Sequence, residues 1–218
     1  MRLSLIISFL SLSLLASAQS EGMFRAAAGV TGKIIKPIGW SADINSRFND
    51  SGLETFFPQL GISYKVSNWF KPSFDYRFLI DKNKYGNYKL MNRINLNLKF
   101  KHSIDRLGLG FRIRYQFAFK GLSSISDYDP DFDQAFRFKP SFSYNLKNSI
   151  FTPQVSTEFF INPDFIPYEQ RFAKYRFAVG TGINLKGPNE INLKYFIEER
   201  RNKNLLRHVI QVSFTHKL

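Results

Sequence analysis

Arginine and lysine recur at every second position along several stretches of the chain, and their spacing is the feature best suited to chemistry. Between residues 107 and 120, large apolar side chains occupy one parity, whereas Arg112, Arg114 and Lys120 share the other with small and polar residues. Successive side chains of a β-strand point to opposite faces. Because guanidinium and ammonium groups bind carboxylates and phosphates, such a strand has one apolar face and one face that can bind anions.

The same alternation assigns fourteen bases to the inner face of a closed sheet: Arg47, Lys65, Lys71, Arg77, Arg93, Lys99, Arg112, Arg114, Arg137, Lys139, Lys174, Arg176, Lys194 and Arg207. Four acids share this face: Asp43, Asp75, Glu158 and Glu198. The candidate anion-binding residues are Arg77, Arg93, Arg112, Arg114, Arg137, Lys139, Lys174 and Arg176. Two interpretations stay open. The interior either binds or conducts anions, or it is filled and structural, with Asp75 and Glu158 paired to arginines.

A second cluster, of acidic residues, suggests calcium as a ligand. Four aspartates alternate along one predicted loop: Asp127, Asp129, Asp131 and Asp133. The EF-hand pattern requires Gly at its sixth position and Glu at its twelfth, and this chain has Phe132 and Phe138 there. A looser surface calcium site and a plain solvated loop remain the two interpretations. The sequence shows no metal-ligand spacing, phosphate loop or nucleophile elbow, so no cofactor is expected.

The three histidines bear on whether the chain could be a lipid-modifying enzyme. Such an enzyme needs a serine and a histidine within hydrogen-bond reach. His102 and Ser103 are neighbours and would point to opposite faces of a strand. His208 has no serine within reach in the sequence, and His216 is expected at the inner rim of the barrel. We therefore predict no enzymatic activity, and we keep a lipid-modifying enzyme as the least favoured alternative.

Eleven segments show the strand alternation: 24–34, 38–48, 54–66, 69–80, 88–101, 106–120, 134–147, 150–161, 170–186, 190–199 and 205–218. Their connections alternate between short and long. This rhythm predicts an all-β fold, an antiparallel up-and-down transmembrane β-barrel of about 10–12 strands. Bacterial single-chain barrels have even strand numbers. We therefore expect either that the first segment lies outside the wall or that one strand has been missed.

The N-terminus has the pattern of a secretion signal. Arg2 precedes a short apolar run over residues 3–15, and Ala16 and Ala18 form a small-x-small cleavage site. We predict a signal peptide over residues 1–18 and a single barrel domain over residues 19–218. The chain has no cysteine and a net charge of +14. That charge favours anionic partners, and secretion makes nucleic acid an unsuitable one.

Four stretches carry a resemblance to a known family: residues 60–65 (LGISYK), 75–77 (DYR), 111–116 (FRIRYQ) and the ending from Tyr195 through residues 208–210 (HVI) to Leu218. By these stretches the chain resembles the DUF2490 family of uncharacterised outer-membrane proteins. The resemblance implies an outer-membrane location and a barrel fold, and it implies no activity.

The sequence thus predicts an outer-membrane barrel of a Gram-negative bacterium, released from its signal peptide near Ala18, with a structural or anion-binding role. A small anion-selective, porin-like channel is the alternative. The expected partners are outer-membrane lipids, lipopolysaccharide, the barrel insertion machinery and small anions, and the expected state is a monomer. The rival fold is a secreted soluble β-sandwich or lipocalin-like barrel, which would bury Phe74, Phe111 and Phe142 in a core.

Overall fold

The computed structural model describes residues 19–82, 86–119, 134–163, 172–185, 187–200 and 205–218. The predicted signal peptide and the four aspartates between Asp127 and Asp133 lie outside these residues. The described chain forms eleven strands: β1 (Gln19–Ile35), β2 (Ile38–Asn49), β3 (Gly52–Tyr64), β4 (Phe70–Lys82), β5 (Tyr88–Ile104), β6 (Leu107–Phe119), β7 (Gln134–Tyr144), β8 (Phe151–Ile161), β9 (Phe172–Asn184), β10 (Asn189–Arg200) and β11 (Leu205–Lys217). No helix in these ranges is long and apolar enough to cross a membrane.

The eleven described strands close into one barrel in which each strand pairs with its sequence neighbours. These pairs are antiparallel, but β1 and β11 close the barrel in parallel, from Gln19 beside Leu205 to Thr31 beside Lys217. In a meander with an odd number of strands, the first and last strands run in the same direction. The predicted up-and-down barrel of about 10–12 strands is confirmed. The expectation of an even strand count was wrong, because the first segment is a full wall strand.

The two ends of the barrel differ in the length of their connections. At one end, here called the short-turn end, the connections are residues 36–37, 65–69, 105–106, 145–150 and 185–188. At the opposite long-loop end, they are residues 50–51, 83–87, 120–133, 162–171 and 201–204. Only the connections 120–133 and 162–171 are longer than every connection at the short-turn end, so the predicted alternation of short and long connections holds only in part. The connection between β2 and β3 is a two-residue turn, with Asn49 directly opposite Gly52.

Apolar side chains cover the outer surface of the barrel. Phe74, Phe111 and Phe142, the three residues that a soluble fold would bury, are 43%, 40% and 49% exposed. Soluble proteins rarely expose continuous apolar surface on this scale, whereas a transmembrane barrel turns such a band towards lipid. The alternation predicted from sequence is confirmed, and the soluble alternative is wrong.

Aromatic groups mark the ends of this apolar band. Near the short-turn end, the rings of Trp69 and Phe100 stack with their centroids 6.1 Å apart. Towards the long-loop end, the rings of Phe159 and Phe172 lie with their centroids 6.0 Å apart. Aromatic side chains are enriched at both membrane–water interfaces of membrane proteins.

Candidate functional site

A cavity of about 270 Å³ lies in the middle of the barrel interior. All eight anion-binding candidates from the sequence line it: Arg77, Arg93, Arg112, Arg114, Arg137, Lys139, Lys174 and Arg176. Arg25, Arg47, Lys194 and Arg200 also contribute, which gives twelve bases among the described lining residues against two acids, Glu158 and Glu198. Strands from the whole circumference supply these side chains, because each strand turns every second residue inwards.

Glu158 on β8 is surrounded by three guanidinium groups. Its Oε1 accepts hydrogen bonds from Arg112 at 2.5 Å and from Arg137 Nε at 3.0 Å, while its Oε2 accepts one from Arg176 Nη1 at 3.2 Å. The Glu158 side chain is 2% exposed. A buried carboxylate is costly unless it is paired and hydrogen-bonded, and these three arginines supply that compensation.

Glu198 on β10 has a similar shell of cations. Arg176 Nη2 lies 2.5 Å from its carboxylate, Arg200 Nε 3.2 Å, Lys174 Nζ 3.5 Å and Arg25 Nη2 3.7 Å. Arg176 contacts both glutamates and so joins the two clusters into one network. The network crosses the interior and occupies part of its volume.

Three inward phenylalanines place aromatic faces against the cations. Arg137 and Lys174 Nζ each lie 4.3 Å from the ring centre of Phe160. Phe196 receives Arg25 at 4.9 Å and Arg176 at 4.5 Å. Phe57 receives Arg47 and Arg77 in the same way. Cation–π contacts stabilise desolvated arginines, so these rings help to hold several bases close together.

A larger cavity of about 820 Å³ occupies the short-turn end of the interior. Lys71 and Lys99 line it, and Arg114 lines both this cavity and the central one. Arg114 donates from Nε to Asn97 at 2.5 Å and from Nη2 to Asp75 at 3.4 Å. Asp75 therefore pairs with an arginine, as expected, and the Arg114 cluster stands between the two cavities.

A row of four cations follows the strand register from β4 to β7. Lys71 is the cross-strand partner of Lys99, Lys99 of Arg112, and Arg112 of Lys139. Like charges directly opposite each other on neighbouring strands are destabilising. We call Lys71, Lys99, Arg112 and Lys139 the cation row. It begins at the large cavity and ends at the central one.

Beyond Lys139 the same row continues with alternating charges. The pair Phe138–Phe159 places Lys139 beside Glu158. From there, consecutive partners on β8, β9, β10, β11 and β1 are Glu158, Arg176, Glu198, Arg207 and Glu21. Lys71 is the second residue of β4 from the short-turn end, whereas Arg207 is the third residue of β11 from the long-loop end. The row therefore climbs the wall as it circles the barrel.

Sequence reasoning missed several interior residues. Arg25 and Arg200 line the central cavity, but the boundaries and parity of the first and tenth segments left them out. Phe57, Phe160 and Phe196 were missed because phenylalanine was expected to face lipid. Their parity was the signal that could have found them. Phe160 and Phe196 share the parity of Glu158 and Lys194, and Phe57 shares that of Lys65 in the same segment.

Two of the three histidines each contact a neighbouring side chain in the described part of the barrel. His208 faces outwards beside Tyr195, and Nδ1 of His216 lies 2.8 Å from Oδ1 of Asn189. Within the described ranges, no group of three or more histidines, cysteines or acids is placed to hold a metal ion. The acidic cluster proposed for calcium falls in a segment outside those ranges.

The closed sheet, its outward apolar band and its charged interior define a transmembrane β-barrel with the fold of outer-membrane porins. A solved structure of the NanC porin in a rhombohedral crystal form aligns with a TM-score of 0.54 at 14% identity, covering 85% of this chain and 92% of that one. The KdgM porin in complex with disordered oligogalacturonate aligns with a TM-score of 0.50 at 10% identity, covering 82% and 91%. At these identities the likeness concerns the fold.

The family model of DUF2490, described as a protein of unknown function, matches residues 26–207. The chain therefore belongs to the DUF2490 family, as the four sequence stretches indicated. No curated protein matches the chain.

Proposed function

We propose that this protein is an outer-membrane barrel that binds small anionic solutes in its interior. The observation that carries the proposal is the lining of the central cavity, in which twelve bases face two acids among the described residues. Glu158 and Glu198 neutralise part of this charge. The remaining excess requires water or mobile anions, because unpaired charge in a low-dielectric interior is unfavourable.

The cation row supports the same function. Three successive like-charged pairs lie between Lys71 and Lys139. Each pair destabilises the empty barrel to some extent, and an anion bound between the side chains would relieve the repulsion. A purely structural interior could use neutral residues at these positions.

The proposal includes the location and the partners. A signal peptide over residues 1–18, cleaved near Ala18, directs the chain to the outer membrane, where the insertion machinery assembles it. Lipids and lipopolysaccharide surround the apolar band, and the protein acts as a monomer without a cofactor or enzymatic activity. Fractionation tests this part, because recovery in the soluble periplasm without detergent would contradict it.

Anion binding can be tested with two small probes that differ in charge. Acetate and tetramethylammonium both carry methyl groups that report binding by saturation-transfer NMR on the folded protein in detergent micelles. We expect saturable transfer to acetate and none to tetramethylammonium, with weaker acetate binding in Lys139→Gln and Lys194→Gln. Equal transfer to both probes, or none to acetate, would contradict the proposed function.

A second candidate is a small anion-selective channel, favoured by the 820 Å³ cavity, which shares Arg114 with the central cavity. Planar-bilayer recording in a KCl gradient distinguishes the two. A channel predicts conductance steps whose reversal potential favours chloride and shifts towards potassium in Lys71→Glu and Lys99→Glu. Saturable acetate binding without any conductance step would leave the binding function and exclude the channel.

A further inference from the structure

The carboxylate of Glu158 lies among guanidinium groups from three other strands. Two arginines contact the same oxygen, Oε1, with Nη2 of Arg112 at 2.5 Å and Nη2 of Arg137 at 2.8 Å. Arg176 contacts the other oxygen, Oε2. Two guanidinium groups converging on one carboxylate oxygen form a site that fits a carboxylate. The protein itself therefore shows which chemistry this part of the interior accepts.

The cations beside Glu158 still have capacity to bind an anion. Lys139 and Lys194 line the same cavity, and neither makes an ion pair with any residue in the described part of the chain. Lys139 is the cross-strand partner of Arg112. A second carboxylate in this cavity would thus have Lys139, Lys194 and Arg112 among the donors that line it.

The cation row gives such a carboxylate a route. From the large cavity at the short-turn end, Lys71 and Lys99 lead to Arg112 through consecutive cross-strand pairs. Glu158 stands next to the last member of the row. Whether an arriving anion can bind Arg112 therefore depends on the carboxylate that already holds it.

We infer that Glu158 is a built-in competitor for the ligand. Soluble carboxylates bind between Arg112, Lys139 and Lys194 by displacing Oε1 of Glu158 from Arg112 and Arg137, while Oε2 stays on Arg176. This inference rests on the proposed function and names its ligand class, small carboxylates. It also gives Glu158 a regulatory role, because the residue sets how tightly the interior binds them.

The inference predicts that one substitution in the cavity increases the affinity for the ligand. Removing the negative charge in Glu158→Gln should tighten acetate binding about tenfold, the ratio expected when one charge-assisted hydrogen bond becomes available to the ligand. Glu198→Gln is the matched comparison, since it removes the same charge from the same cavity. Its gain should be much smaller, because Arg112 and Arg137 remain held by Glu158.

The dissociation constant of acetate is measured by saturation-transfer NMR on wild type and both variants, at fixed ionic strength. Folding is checked by heat-modifiable gel mobility. If Glu158→Gln does not fold, Glu158→Asp replaces it, because its shorter side chain withdraws the carboxylate from Arg112 while keeping the charge. Acetate binding that is unchanged or weaker in the folded variant would overturn the inference.

The outcomes separate this inference from the proposed function. If wild type binds acetate and the Glu158 variant binds it no more tightly, the competitor role fails and anion binding stands. If only the variant binds acetate, Glu158 blocks the site and the wild-type binding function fails. If neither protein binds acetate, both are overturned.

Discussion

Lys99 on β5 and Arg112 on β6 are direct cross-strand partners, and both side chains point into the barrel. Natural antiparallel sheets disfavour two cations in this relationship because their repulsion costs stability. Here Lys71 and Lys139 extend the same repulsion to both sides. An anion-binding interior needs cations placed close together in this way. We infer that the cation row lowers the free energy of unfolding in exchange for a more positive interior.

This exchange predicts that Lys99→Gln stabilises the protein. At low salt, the substitution should raise the free energy of unfolding by about 0.2–1 kcal/mol, because it removes the repulsion with Arg112. At 1 M salt, where the Debye length is about 3 Å, the gain should largely disappear. Urea unfolding in lipid vesicles at the two salt concentrations measures both values.

Lys101→Gln is the control for that prediction. Lys101 shares the strand and parity of Lys99, but its cross-strand partner on β6 is Gly110. Its substitution should leave the free energy of unfolding nearly unchanged at either salt concentration. A loss of stability in Lys99→Gln at low salt would mean that Lys99 is held by attractive contacts.

The two faces of β11 give a second prediction. Ile210 is 57% exposed on the outer surface, and its neighbour Gln211 lines the central cavity. Ile210→Arg should reduce stability by about 2–4 kcal/mol, because it places a cation in lipid near the middle of the membrane. Gln211→Glu adds a charge at the same depth but on the inner face, between Arg25 and Lys194, so it should cost much less. Heat-modifiable mobility and urea unfolding would show equal losses only if the two faces were assigned wrongly.

Much of the wall could be predicted from sequence because it depends on local alternation. Each of the eleven predicted segments corresponds to one strand, and Phe74 and Phe111 point outwards as expected. The closure could not be predicted. The parallel pairing of β1 with β11 joins the two ends of the domain, and nothing in the local pattern of either strand specifies its partner.

The interior was predictable as a set of residues but not as an arrangement. Parity identified Glu158 and Arg176 as inward residues, yet their pairing depends on the register between β8 and β9. Register follows from turn geometry and from closure of the whole barrel. The cation row emerges only when the registers of β4 to β7 are combined, and no single strand contains it.

Close packing between β9 and β10 gives a third prediction. A Cβ atom at Gly180 would overlap the backbone carbonyl oxygen of Leu193 and lie 2.8 Å from Cγ of Lys194. Gly180→Ala should therefore destabilise the barrel by about 1–3 kcal/mol, the usual cost of overpacking. Gly22→Ala is the control, because a Cβ there meets nothing within 4 Å, and it should stay within about 0.5 kcal/mol of wild type. Urea unfolding of both variants measures the difference, and similar losses would contradict the packing.

The parallel closure gives a final prediction, which engineered cysteines can test without background because the chain contains none. Ala26 on β1 is the cross-strand partner of Val212 on β11. Adjacent partners fall within the separation that a disulfide can bridge, so Ala26→Cys with Val212→Cys should cross-link on mild oxidation. Ala26→Cys with His216→Cys places the second thiol four residues, or roughly 13 Å, further along the same strand, and it should not cross-link.

Faster migration of the oxidised, denatured protein on a gel reports the large loop that the bond closes. Cross-linking between positions 26 and 216, or its absence between positions 26 and 212, would contradict the parallel closure. It would support the alternative that β1 lies outside the wall.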